Sequence, residues 1–150
     1  MKRILIGSLA ASLLLLCISI FAQVSRPYRN GSVWSISLIR TKPGMNAAYL
    51  TYVATDWKKE QEEVKKEGLI LSYKVLTTTS TYDADGWNLM LMTEYKDLAT
   101  YEATAAKREA VVQRATGNDQ KQMQSYKERE EIREMMGIRL AREMVLEPGR

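Results

Sequence analysis

From Ser32 onward the spacing of apolar residues switches between two and three-or-four, and the order of the switches leaves few folds open. Trp34, Ile36 and Leu38 alternate with Ser35 and Ser37, the period of a strand, over residues 32–41. Lys42-Pro43-Gly44 turns the chain. Asn46 then offers an N-cap for a helix that runs to about Glu67 and stops at Gly68. Its Leu50, Val53, Trp57 and Val64 share one face, while Lys58/Glu62, Lys59/Glu63 and Glu62/Lys66 pair at i,i+4 on the other. Two strands follow, over 69–78 and 87–95, joined by a polar connection that ends in Asp83-Ala84-Asp85-Gly86. Asp97 caps a helix to about Thr116, Gly117-Asn118 breaks it, and a charged helix is expected from Asp119 to Met136. Gly137 ends that helix, Ile138–Leu146 is the last strand, and residues 147–150 form a tail. The order is βαββαβ with an extra helix before the last strand. Two right-handed βαβ crossovers then give an α+β, ferredoxin-like domain over 32–146: a four-stranded antiparallel sheet with helices on one face.

Such a sheet leaves its second face to water or to a partner. Alternation sorts each strand into two sets. The more apolar set is assigned to the helices: Trp34, Ile36 and Leu38; Leu71, Tyr73 and Val75; Trp87, Leu89 and Leu91; Ile138, Leu140 and Met144. The opposite set mixes Ile39, Leu76, Met90, Met92 and Val145 with Ser35, Ser37, Ser72, Lys74, Asn88, Glu94, Arg139, Ala141 and Glu143. Water alone suits it poorly, and so does a sealed core. A homodimer joined through this face, or a half-buried ligand cavity, suits both kinds of residue.

The segment before Ser32 is of another kind. Lys2 and Arg3 precede an uncharged, apolar run from Ile4 to Ile20, and Ala22 stands before the expected cut. This is the layout of a secretory signal peptide over 1–22, followed by a flexible leader over 23–31. The alternatives are an uncleaved anchor, for which about 20 apolar residues are needed, and a lipoprotein at Cys17, where the bulky Leu16 is unsuitable. The expected product is exported, periplasmic or extracellular, with no membrane attachment after cleavage.

Cys17 is the only cysteine of the 150 residues and there is no histidine, so the cleaved domain has no disulfide, thiolate nucleophile or imidazole. No metal site and no cofactor are expected; Asp83, Asp85 and Gly86 resemble part of a calcium loop that lacks its later ligands. The formal net charge is +4, and removal of Lys2 and Arg3 lowers it by two. The remaining charges interleave in sign, which is not a nucleic-acid footprint.

The strand-helix order over Ser32 to Leu146, the Arg40-Thr41-Lys42-Pro43-Gly44 exit from the first strand and the Gly137-Ile138-Arg139-Leu140 entry to the last are similar to the dimeric α/β-barrel superfamily, with its antibiotic-biosynthesis-monooxygenase-like relatives. The resemblance implies two ferredoxin-like sheets paired into a barrel. Its haem-using branches depend on a histidine that this chain lacks. Its cofactor-free branch uses a pocket of Asn, Trp, Tyr and Arg, types that Asn88, Trp34 and Tyr73 supply, but no motif maps them, so the catalytic residues remain unknown.

Four polar residues are candidates for a cavity on the second face. Arg139 and Lys74 could hold an anion, Asn88 could orient it, and Glu94 could accept a proton if burial raised its pKa. Against this stands cross-strand salt bridging such as Lys74 with Glu94. Trp34, Trp57, Trp87 and Tyr73 are an aromatic box or plain core. Three functions stay open: an exported dimer binding a small apolar or aromatic molecule, a cofactor-independent monooxygenase-like or isomerase enzyme on an aromatic compound, and a structural dimer without ligand.

Overall fold

The computed structural model describes residues 27–78, 86–117 and 119–147. The expected signal peptide and the calcium-loop fragment at 83–85 lie outside the described residues. The contacts divide the chain into two units, Asn30–Val145, and Met1–Arg29 with Leu146–Arg150. Within the described part of the second, the Glu147 N–H donates to the Pro27 carbonyl at 2.9 Å and Arg29 pairs with Glu147 at 3.7 Å.

The elements are β1 (Tyr28–Thr41), α1 (Asn46–Tyr52), a π-helical turn (Val53–Trp57), α2 (Lys58–Lys66), β2 (Ser72–Thr77), β3 (Leu89–Tyr95), α3 (Leu98–Ala103), α4 (Ala105–Thr116), α5 (Asp119–Ile132) and β4 (Arg133–Leu146). The strand order is β2-β3-β1-β4, and β3 runs antiparallel to both β1 and β2. Arg40 meets Glu134 and Ser32 meets Glu143, contacts that run in opposite senses along β1 and β4, so this pair is antiparallel too. The fold is ferredoxin-like α+β, with α5 as the extra helix before the last strand.

Local chemistry accounts for the helix limits. The Asp97 carboxylate accepts from the Thr100 N–H at 2.7 Å, the cap expected there, and these bonds hold its pKa below the ordinary value. Asn46 opens α1 without capping it. Gly68, at φ +71, ends the helix after Lys66, a conformation that costs a side-chain-bearing residue more.

Two clusters form the core under the helices. Ile39, Tyr49, Val53, Leu89 and Leu91 make one, flanked by Tyr52, Trp57 and Ile132. Val64, Leu69, Ile70, Tyr95 and Val111 make the other, flanked by Tyr73, Tyr101 and Val112. The Arg108 guanidinium lies 4.7 Å from both the Tyr95 and Tyr101 rings, which meet edge to face. Leu50, expected on the buried face of its helix, is 39% exposed, and Tyr49 takes its place.

The sheet corrects the sorting of β1. Ile39 pairs with Leu89, Ser37 with Leu91 and Val33 with Tyr95. Ile39, Leu89 and Tyr95 are buried under the helices, so Val33, Ser35 and Ser37 share that side. Trp34, Ile36 and Leu38 therefore point away from the helices, beside Glu94, Met92 and Met90. The small serines under the helix layer leave room for close approach of helix to sheet, and Thr93 there donates to Gln61 at 3.1 Å.

The end of the chain is also corrected. The helix expected to Met136 stops at Ile132, and β4 begins at Arg133 and runs through Gly137 at φ +150. Arg133 lies over the Tyr49 ring on the helix side, while Glu134 meets Arg40 on the other. Alternation then carries Ile138, Leu140 and Met144 to the open side, not to the helices. Ile138 is 58% and Leu140 48% exposed. Trp87, placed in a strand by its alternation, precedes β3 and is half-buried.

Candidate functional site

Two places hold chemistry that folding alone does not use. The first is the open sheet face. Trp34, Ile36 and Leu38 of β1 lie beside Met90 and Met92 of β3 and Leu76 of β2, with Ile138 and Leu140 on β4. Leu76 is 47% exposed. This face is far more apolar than the mixed set expected of it, because β1 and β4 contribute their apolar rather than their polar alternates.

Two of the four candidate polar residues meet there. Lys74 lies with its Nζ 5.0 Å from the centre of the Trp34 ring. Glu94 is the cross-strand neighbour of both Trp34 and Ser72, and accepts from the Ser72 hydroxyl at 2.5 Å. The expected Lys74–Glu94 bridge is replaced by these two separate contacts. Trp34 attracts the ammonium because its ring face is electron-rich.

The other two candidates lie elsewhere. Asn88 closes the end of the sheet: its Oδ1 accepts from the Thr41 N–H at 2.8 Å and its Nδ2 donates to the Thr41 hydroxyl at 2.6 Å. Arg139 falls on the β4 alternates shared with Arg133, and its Nη1 donates to the Ile138 carbonyl at 3.0 Å. The aromatic set is likewise divided. Trp57 and Tyr73 meet edge to face under the helices, with the Tyr73 hydroxyl donating to Glu62, a bond that pushes the phenol pKa up to about 12, whereas Trp34 is on the open side.

The second place is a cavity of about 430 Å³ among the helices, which the sequence did not single out. Asp56, Lys59 and Glu60 form one wall, Lys121, Gln122, Ser125, Glu128 and Arg129 of α5 the other, and Val112, Ala115 and Thr116 of α4 complete it. The π-helical turn contributes Asp56; such turns recur at functional sites because the widened backbone re-aims its side chains. Burial pushes the Glu60 carboxyl up to about 7; Arg129 opposes the shift, while Asp56 and Glu109 add to it. Arg129 stacks on Tyr52 at 4.9 Å, donates from Nη1 to Ser125 Oγ at 2.7 Å, and has no hydrogen-bond partner for its buried Nε. Among the described residues no group of His, Cys, Asp and Glu is arranged to hold a metal ion, and no helix is long and apolar enough to cross a membrane.

Neither a family model nor a curated protein matches the chain. Among solved structures, it is similar to a dimeric ferredoxin-like protein from an uncultured marine organism, at 10% identity, 81% coverage of this chain, 93% of that chain and a TM-score of 0.49. It is also similar to a dimeric protein of unknown function and ferredoxin-like fold from Bacteroides fragilis NCTC 9343, at 14% identity, 79% and 98% coverage and a TM-score of 0.41. The ferredoxin-like fold of this chain rests on its own strand order and connections.

Proposed function

We propose that the domain works as an exported homodimer whose open sheet faces meet and hold a small apolar or aromatic molecule between them. The observation that carries this reading is the apolar floor of Trp34, Ile36, Leu38, Leu76, Met90 and Met92, which faces away from the helices. Contiguous apolar patches beyond a few hundred Å² mark interaction surfaces on soluble proteins. With strands about 4.8 Å apart and rising about 3.3 Å per residue, the face measures roughly 600 Å² in plan. One partner contributes about 800 Å² to a standard interface, and this face supplies most of that area. A two-fold copy presents the same patch to itself, and Lys74 and Glu94 supply both signs of charge on it. Methionines suit a floor that must adapt to a ligand, since their side chains are unbranched and polarisable.

The test is the state of association. Sedimentation equilibrium at tens of micromolar, above the micromolar dissociation constants common for specific complexes, should give a dimer. Met90→Lys, which sets an ammonium in the middle of the face, should give a folded monomer. A monomeric parent rejects the reading. Export is tested separately: mature protein from its host should begin near Gln23, and a soluble product retaining Met1 rejects it.

A further inference from the structure

We infer that the cavity between the Asp56–Glu60 wall and α5 is a binding site for a small zwitterion of the α-amino-acid type, with its ammonium at Asp56 and Glu60 and its carboxylate at Arg129. This site is separate from the sheet face and does not rest on the dimer.

The two walls carry opposite net charge: Asp56 and Glu60 outweigh Lys59 on the first, and Lys121 and Arg129 outweigh Glu128 on α5. On the first wall, the Lys59 Nζ donates to the Ala115 carbonyl at 3.0 Å, which holds the ammonium against α4. On the α5 wall, Glu128 accepts from Gln124 at 2.9 Å, and Arg129 is a donor of fixed position, held by Ser125 and by the Tyr52 ring. A ligand that is only a cation would meet Arg129, and one that is only an anion would meet Asp56. A molecule carrying both charges a few bonds apart satisfies both walls. Between them, Val112 and Ala115 offer apolar surface to a side chain. The volume, about 430 Å³, falls in the range of small-molecule pockets.

The charge state of Glu60 supplies a signature. The groups acting on it are Asp56 of the same wall, Arg129 of α5 and Glu109 of α4. With its pKa pushed up to about 7, the free protein carries Glu60 partly protonated at neutral pH. An ammonium beside it favours the ionised form, so binding should expel roughly half a proton at pH 7.

Calorimetric titration of the full chain with leucine, in two buffers of different ionisation heat, reads both affinity and proton release. Leucine should bind at least about tenfold more tightly than leucinamide, which lacks the carboxylate, or N-acetyl-leucine, which lacks the ammonium; tenfold corresponds to about 1.4 kcal/mol. Its observed heat should differ between the buffers. Glu60→Gln should weaken leucine and make the heat independent of buffer. Equal behaviour of the three compounds, no binding of leucine up to about 10 mM, or a buffer-independent heat in the parent overturns the inference. The last readout needs no variant.

Discussion

Tyr49→Ala should lower the unfolding free energy by about 3–5 kcal/mol, the range for removal of a fully buried large aromatic ring. Tyr49 is 1% exposed and joins Ile39 and Leu89 of the sheet to Val53 of the adjoining helical turn. Its ring also supports others: Tyr52 lies 5.7 Å away, and the Arg133 guanidinium sits 5.7 Å from its centre. Arg133 is buried with no hydrogen-bond partner at Nε, so loss of the ring removes a cation–π contact from a buried charge. Tyr49→Phe keeps ring, stacking and volume and should cost less than about 1 kcal/mol. Burial raises the Tyr49 pKa, which favours the neutral phenol, so no charge is lost at pH 7. Urea melts of both variants at one protein concentration decide it, since any self-association would make stability concentration-dependent. A Tyr49→Ala loss below about 1.5 kcal/mol would mean that the two layers do not depend on this ring.

The element order was legible because turn residues and apolar periods agree along most of the chain. What alternation cannot say is which side of a strand faces inward. On β3 the choice of Leu89 and Leu91 over Met90 and Met92 matches their burial. On β1 the stronger apolar set, Trp34, Ile36 and Leu38, is the one turned away from the helices. An apolar face turned away from the helices carries the same alternation as a core face, and only the pairing with β3 resolves them. The start of β4 was hidden for a different reason. Arg133-Glu134-Met135-Met136 continues the charged composition of α5, and Gly137 resembles a helix stop although it lies inside a strand. Of the candidate residues, Lys74 and Glu94 lie on the second face, Asn88 binds Thr41 at the sheet end, and Arg139 falls on the other β4 alternates. The helix cavity left one trace in the sequence: Asp56 and Glu60 are like charges at i,i+4, an arrangement that weakens a helix.

That pair makes stability depend on pH in an unusual direction for a carboxyl group. Most acids in folded proteins have lowered pKa values and lose stability as pH falls. Glu60 is raised, from 4.5 to about 7, with burial as the first cause. Between these two values the folded state holds more protons than the unfolded chain, so the unfolding free energy decreases as pH rises. The contribution is fully present below about pH 4.5 and is lost as pH passes about 7. A shift of this size corresponds to at most about 3.4 kcal/mol at about 1.36 kcal/mol per unit. Glu60 is partly open to the cavity and to solvent, which screens its interactions, so about 1–2 kcal/mol is expected. Glu60→Gln keeps the shape and removes the titration. Relative to the parent it should be near neutral at pH 5 and more stable by about 1–2 kcal/mol at pH 8. Arg129 does not reverse the sign, because its attraction for the ionised form is already included in the net upward shift. Thermal melts of parent and variant at fixed concentration, without added ligand, across pH 5 to 8 measure the difference. Curves that stay parallel over that interval would mean that Glu60 is ionised throughout, and that the wall it forms with Asp56 is open to water.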